Sequence, residues 1–358
     1  MSLARGSRRV LSTVAVAVLL LVGGVAVWAV TYRVPPSASA RSGRRSSVAT
    51  SSPLKATCPL TGLPPGGGKP VPERPVAAVK VENTVDAYPL VGLQKADIIY
   101  EELVEGGLTR FMAVYQCKDA QRVGPVRSAR TTDPKILLQF NKHPILGDSG
   151  AQLTVVNELK KAGILTFDDS SAAAAFSRAP APRVTPHNLF VSVSKLYRLA
   201  GNAVSQQGAP KPVFTYATEV SNPSKPVSSV VVPFSTRVSG NWRWDHATAT
   251  WVRQLNGNPM MLETGGPVQV TNVIVQAVRV TKSSMVDILG NPSPEVTLTG
   301  SGRAWILRDG RVIAGVWSRT SPHAVMQFKT KSGKRIPLAP GTTFVELMPT
   351  GQTPTFKK

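Results

Sequence analysis

Arg110-Phe-Met-Ala-Val-Tyr-Gln-Cys117 is the stretch that decides the fold. Its apolar run is continuous enough for a central strand. Shorter apolar runs around it, Val76–Val81, Asp97–Glu101 and Ile145–Gly147, predict neighbouring strands. Helical patterns alternate with them. Thr131-Thr-Asp-Pro134 opens a helix with a capping residue and an early proline, running to about Asn141. Gly150–Ala162 carries Leu153, Val156 and Leu159 at helical spacing and stops at Gly163. Asn188–Ala200 repeats the pattern with Leu189, Val193, Leu196 and Leu199. Residues 58–210 therefore read as an α/β domain.

Beyond Gly208-Ala-Pro-Lys-Pro212 the helical period disappears. Val230–Phe234, Trp242–Leu255, Asn272–Lys282, Arg303–Leu307, Val312–Trp317, Val325–Phe328 and Phe344–Met348 predict strands. Asn256-Gly257, Asp309-Gly310 and Ser332-Gly333 are hairpin signals between such runs. Residues 211–350 thus read as an all-β domain, a sandwich or open barrel, with 351–358 as a tail.

The net charge of +22 is unevenly spread. Residues 1–57 carry eight Lys or Arg and no acid, residues 58–210 carry 17 against 13, and residues 211–358 carry 17 against 7. Such a field favours anionic partners. Val10–Val30 is an uncharged stretch of 21 residues, enough to span a bilayer core. Arg5, Arg8 and Arg9 precede it, which keeps that end in the cytoplasm and exports the rest. Residues 1–9 are then a cytoplasmic tail and 10–32 a signal-anchor. Ala38-Ser39-Ala40 leaves open a cleaved signal peptide instead. Residues 33–57, rich in Pro, Ser and Arg, form a flexible spacer. A membrane segment makes nucleic acid the least expected anionic partner. A lipid headgroup or an anionic wall polymer is favoured, and the chain is expected in the cell membrane with its folded part outside. Cys58 and Cys117 are the two cysteines; in an oxidising compartment they form one disulfide, with two free buried thiols as the alternative.

Cys58-Pro-Leu-Thr-Gly62, Arg74-Pro-Val76, Val79-Lys-Val-Glu-Asn83, Ala96-Asp-Ile-Ile-Tyr-Glu-Glu-Leu-Val-Glu-Gly-Gly-Leu-Thr-Arg110, Gly124-Pro-Val-Arg-Ser-Ala-Arg130 and Pro186-His-Asn-Leu-Phe190 resemble the YerB-like family. Asn272-Val-Ile-Val-Gln276 and Gly315-Val-Trp-Ser-Arg319 resemble its C-terminal domain. The resemblance implies a two-domain cell-envelope protein, in a family of lipoproteins catalogued as domains of unknown function. It implies no activity. This chain departs from the lipoprotein pattern: Cys58 lies about 28 residues past the apolar run, which serves as the anchor instead.

The candidate site is the charged cluster Glu101, Glu102, Glu105, Arg110, Arg127 and Arg130, with His187. Arginine forks suit phosphate or carboxylate, so these side chains either hold an anion or neutralise one another as an internal ion-pair network. Gly147-Asp-Ser-Gly150 invites a serine-hydrolase reading at Ser149, for which His143 and His187 are the only histidines in the domain and no sharp nucleophile turn is marked; His187 is either a base for bound substrate or a helix-cap residue. The four histidines are far apart and only two cysteines occur, so no metal site is expected and no cofactor is implied. Trp242 and Trp244 alternate along one strand, as a sugar-stacking platform or as core.

Two function classes follow. One is a non-catalytic envelope factor that binds an anionic wall component or an envelope partner protein. The other is an enzyme of phosphoryl or glycosyl-phosphate transfer on a lipid-linked precursor. Strands feeding an arginine-rich turn are similar in layout to the LytR-CpsA-Psr ligases, which hold a pyrophosphate with arginines.

Overall fold

The computed structural model describes residues 56–140, 143–219 and 221–358. The tail 1–9, the apolar segment 10–32 and the spacer up to residue 55 lie outside them, as does the expected helix end at Asn141. Among the described residues no helix is long and apolar enough to cross a membrane.

The first half of the chain supplies β1 (Ala77–Glu82), β2 (Ile98–Leu103), β3 (Thr109–Tyr115), β4 (Ile145–Gly147), β5 (Leu165–Phe167), β6 (Phe176–Arg178) and β7 (Leu189–Val191). Its helices are α1 (Thr132–Leu137), α2 (Leu153–Lys161), α3 (Val193–Ala200) and α4 (Asn202–Ser205). The second half supplies β8 (Lys225–Pro226), β9 (Ser229–Pro233), β10 (Ser239–Asp245), β11 (Thr250–Leu255), β12 (Asn258–Pro259), β13 (Gln269–Val270) and β14 (Asn272–Val286). It continues with β15 (Pro292–Thr297), β16 (Gly300–Arg308), β17 (Arg311–Arg319), β18 (Gln327–Lys329), β19 (Thr343–Pro349) and β20 (Thr355–Lys357). A mixed α/β part is thus followed by a β-rich part.

The central strand is where the sequence puts it. β3 pairs antiparallel with β1 on one side and β2 on the other. The change near residue 210 is a change of element type. The packing continues across it: β2 pairs parallel with β19, and β19 with β14, so one 12-stranded sheet runs through both halves in the order β18-β17-β16-β14-β19-β2-β3-β1-β4-β5, with β15 branching from β14 and β8 from β17. Pro53–Lys358 is one compact unit.

Both faces of this sheet are covered, which is why its strands read as unbroken apolar runs. Val79, Val81, Phe111, Ala113, Ile99 and Phe344 point to one side. There they meet α3 and the six-stranded sheet β12-β11-β10-β9-β20, to which β13 adds beside β11, through Val230, Val232, Trp242 and Trp251. Ala78, Met112, Val114, Ile98, Tyr100 and Val345 point to the other, against Ile136 and Leu137 of α1 and Val155 and Leu159 of α2. Trp242 and Trp251 each bury roughly 200 Å², about 5 kcal/mol of transfer free energy before losses. Trp242 is therefore core and offers no exposed stacking platform.

Several expected elements change shape. Trp242–Leu255 is a hairpin, β10 and β11, rather than one strand. Residues 188–200 begin as strand β7, which pairs with β6, and become helical only after Ser192 caps Lys195. The first helix is short, and Thr131 makes no capping bond through its side chain. In α2 the buried face is Val155 and Leu159, leaving Leu153 and Val156 exposed. The hairpin signals hold: Asn256-Gly257 and Asp309-Gly310 each have positive φ at both residues, as a two-residue turn of this hand requires.

Candidate functional site

Strand alternation builds the site. Directly opposite residues Glu82, Arg110 and Glu102 stand side by side across β1, β3 and β2, so all three point to the α1/α2 face. Lys80, two residues before Glu82, shares that face. The segment after Cys117 returns along the end of β1, where Arg127 donates its backbone N–H to the Lys80 carbonyl at 3.0 Å. Gly124 makes this approach possible: its φ is +149°, and a Cβ there would lie 2.7 Å from the Leu189 carbonyl oxygen. The return brings Arg127, Ser128 and Arg130 over the charged row.

Lys80 is sealed and holds two acids, Glu102 and, at 2.8 Å, Asp133. One ammonium cannot neutralise both. Burial pushes Glu102 up to about 7, with Asp133 adding to the rise against Lys80. Asp133 also accepts the Arg130 backbone N–H at 2.7 Å, anchoring the loop to α1. Nearby, burial pushes Asp148 up to about 8, although it accepts the Gly150 N–H at 2.7 Å.

The arginines are held differently from one another. Arg130 grips Glu105 through Nε at 2.9 Å and Nη2 at 2.7 Å, and Ser293 Oγ donates to the other Glu105 oxygen at 2.6 Å. These bonds hold the Glu105 carboxyl below the usual carboxylate range in spite of burial. Arg127 Nε lies 3.4 Å from Glu82, whose second oxygen is 3.0 Å from His187 Nδ1. Arg110 has no carboxylate within salt-bridge distance among the described residues. Its Nη1 donates to the Ser128 carbonyl at 2.9 Å, and its other N–H groups find no partner among the described residues. Burial, then Arg130 and Arg127, push it down to about 10, so it remains a cation at neutral pH. A half-buried guanidinium with donors that no protein acceptor fills, flanked by two more, has the chemistry to accept an anion.

Of the residues expected from sequence, Arg110, Arg127, Arg130, Glu102, Glu105 and His187 come together. Glu101 does not. It points through the sheet to the other face and pairs with Arg253 at 2.7 Å. Arg253 also reaches Glu346 at 3.0 Å, forming a second sealed cluster. Cys58 and Cys117 form the disulfide. It closes a loop across 59 positions of sequence. Such a loop adds about 4 kcal/mol by restricting the unfolded chain. Neither His143, bonded to Gly163, nor His187, bonded to Glu82, hydrogen-bonds Ser149, so the hydrolase reading has no base. Lys80, Glu82 and Asp148 were missed as site members. The signal was present in Val79-Lys80-Val81-Glu82, where two charges share one face of an otherwise apolar strand.

The family described as protein of unknown function (DUF3048) matches twice, its N-terminal domain over residues 60–207 and its C-terminal domain over 230–345. A protein of Bacillus subtilis (strain 168) named "Putative lipoprotein YerB" is 30% identical over 308 residues, covering 82% of this chain and 87% of its own length. The crystal structure of the YerB protein from Bacillus subtilis matches with a TM-score of 0.70 at 26% identity, covering 85% of this chain and all of that one.

Proposed function

The chain belongs to the DUF3048, or YerB-like, family, whose function is unknown, and we propose that it is a membrane-tethered envelope protein that binds an anionic partner at the Arg110 corner. The partner is an envelope component carrying phosphate or carboxylate groups, and binding needs no chemistry. The observation that carries this reading is the half-buried guanidinium of Arg110, which has no carboxylate partner among the described residues and lies between Arg127 and Arg130.

The relative's name as a lipoprotein supports an envelope location. In this sequence both cysteines are joined to each other, leaving no thiol to carry a lipid. The apolar segment 10–32 takes that place as anchor, with the folded unit outside the cell membrane.

Retention of Pro53–Lys358 on purified cell wall tests the proposal. The unit is expected to bind at low salt and to elute as ionic strength rises, because charge-driven contacts weaken over about 10 Å at 0.1 M salt. Loss-free passage at low salt would contradict it.

One observation favours a second reading. His187 is oriented by the buried Glu82 carboxylate beside Arg127, which is how a general base is held next to a bound phosphate. On that reading the corner transfers a phosphoryl or glycosyl-phosphate group. Phosphate released from the polymer during the same assay, and abolished by His187→Gln, would replace the binding proposal with the enzymatic one.

A further inference from the structure

The second half of the chain sends out one conspicuous projection. β14 and β15 form a hairpin whose turn carries Ile288, 102% exposed, and Leu289, 80% exposed, next to the half-exposed Val286. Exposed large apolar side chains gathered in one place mark a contact surface. Here the patch extends sideways. Gln152, at the start of α2, donates its side-chain N–H to the Val286 carbonyl at 2.7 Å, which sets Leu153, 74% exposed, and Val156 beside the tip.

The tip is rigid rather than slack. Asp287 Oδ1 accepts the backbone N–H groups of Leu289 at 2.9 Å and Asn291 at 2.8 Å, fixing the turn that presents the two side chains. The strand that leaves the turn, β15, is bonded into the arginine corner. Ser293 holds Glu105, which holds Arg130, and Glu295 accepts from Thr131 at 2.7 Å. An apolar projection and a cluster of guanidinium groups are therefore parts of one surface. Lys282 on β14 is an exposed cation close to the turn, and exposed Arg237 flanks it, its Nη1 and the Asn291 Nδ2 lying 3.8 and 4.0 Å from where a Gly106 Cβ would be.

We infer that the β14–β15 tip and the adjoining end of α2 dock on a lipid bilayer containing anionic headgroups, with Ile288 and Leu289 entering its apolar boundary. The combination of apolar side chains with flanking cations suits a charged interface, since burial and attraction to anionic lipid add. A polysaccharide would leave Ile288 and Leu289 wet. The length of chain before the folded unit permits the contact. Cys58, close to the start of the unit, is bonded to Cys117 at the far end of β3 from Arg110. The 27 residues from 31 to 57 reach at most about 90 Å when extended, several times the length of that strand. The inference rests on the proposed membrane tether and names the bilayer itself as a partner of the folded unit.

Pro53–Lys358, which closes its own cores, is the molecule to test, against vesicles of phosphatidylcholine alone and with phosphatidylglycerol. It is expected to sediment with the anionic vesicles. The variant carrying Ile288→Asp and Leu289→Asp should lose at least about tenfold in bound fraction. Its circular dichroism should be unchanged, because both side chains are exposed. Ile288→Trp should show a blue-shifted emission when anionic vesicles are added. Equal binding of the double variant, no emission shift, or no sedimentation with either vesicle would overturn the inference. Self-association that the double variant abolishes would also overturn it, assigning the tip to a second copy of the chain. Failure of the tether is read separately: a full-length chain recovered from the cytosol would remove the anchor while leaving the vesicle result standing.

Discussion

Arg253→Met is expected to lower the stability of the folded unit by about 3–5 kcal/mol, the cost of stranding a buried charge. Arg253 is sealed between the two sheets. Its Nη2 lies 2.7 Å from Glu101 and its Nη1 3.0 Å from Glu346, both fully buried. Trp242 Nε1 donates to the same Glu346 oxygen at 2.6 Å. Gly240 leaves the room this requires, since a Cβ there would lie 2.5 Å from Arg253 and 2.6 Å from Glu346. Burial, then Glu101, already hold Glu346 well above the usual carboxylate range. Without the arginine both acids must take up protons or open the interface to water. Thermal unfolding should shift down by roughly 10 °C. The triple variant Glu101→Leu, Arg253→Met, Glu346→Leu should recover most of the loss, because the charges are then removed together. A single variant within 1 kcal/mol of the parent would mean that water reaches this layer, against the geometry described.

Asp148→Asn should stabilise the unit at pH 8 and have much less effect at pH 5. The Asp148 carboxyl is pushed up to about 8 by burial, then by Asp133 and Asp168, against an ordinary value of 3.8. Between those values the folded chain keeps a proton that the unfolded chain has lost. Stability from this group is therefore complete below about pH 4 and is lost as pH rises through 8. Asparagine keeps the acceptor for the Gly150 N–H and does not titrate. Denaturant unfolding at the two pH values should show the variant gaining on the order of 2–4 kcal/mol relative to the parent between pH 5 and pH 8. Asp97, up to about 6, and Glu102, up to about 7, titrate in the same window but cancel in this difference. A variant whose advantage is equal at both pH values would show that Asp148 is ionised throughout.

Much of the fold was legible because the main sheet is buried on both faces. β3 and Ile145–Gly147 could be read from apolar continuity alone. The hairpin within Trp242–Leu255 was not, because its turn, His246-Ala-Thr-Ala249, contains no glycine; Ala249 takes φ +50° instead. Leu153 and Val156 matched a helical stripe yet face solvent, since periodicity reports a side of a helix and not what covers it. The parallel pairing of β2 with β19 joins residues some 245 positions apart, and no local pattern encodes it. The site divides in the same way. Alternation alone sends Glu101 and Glu102 to opposite faces, a separation that treating them as one acidic run concealed. Their partners were a different matter: Arg253 and Glu346 are lone charges inside apolar strands, visible as anomalies but with nothing in the sequence to match them to Glu101.

The central claim is that Arg110 waits for an anion rather than supporting the fold. Calorimetric titration of inorganic pyrophosphate into Pro53–Lys358 and its Arg110→Met variant tests it most directly. The parent should bind one anion, and the variant should bind at least about 30-fold more weakly, as expected for lost charge-assisted hydrogen bonds, with an unfolding temperature no lower than the parent's. No binding by the parent, equal binding by the variant, or a variant that unfolds would contradict the account.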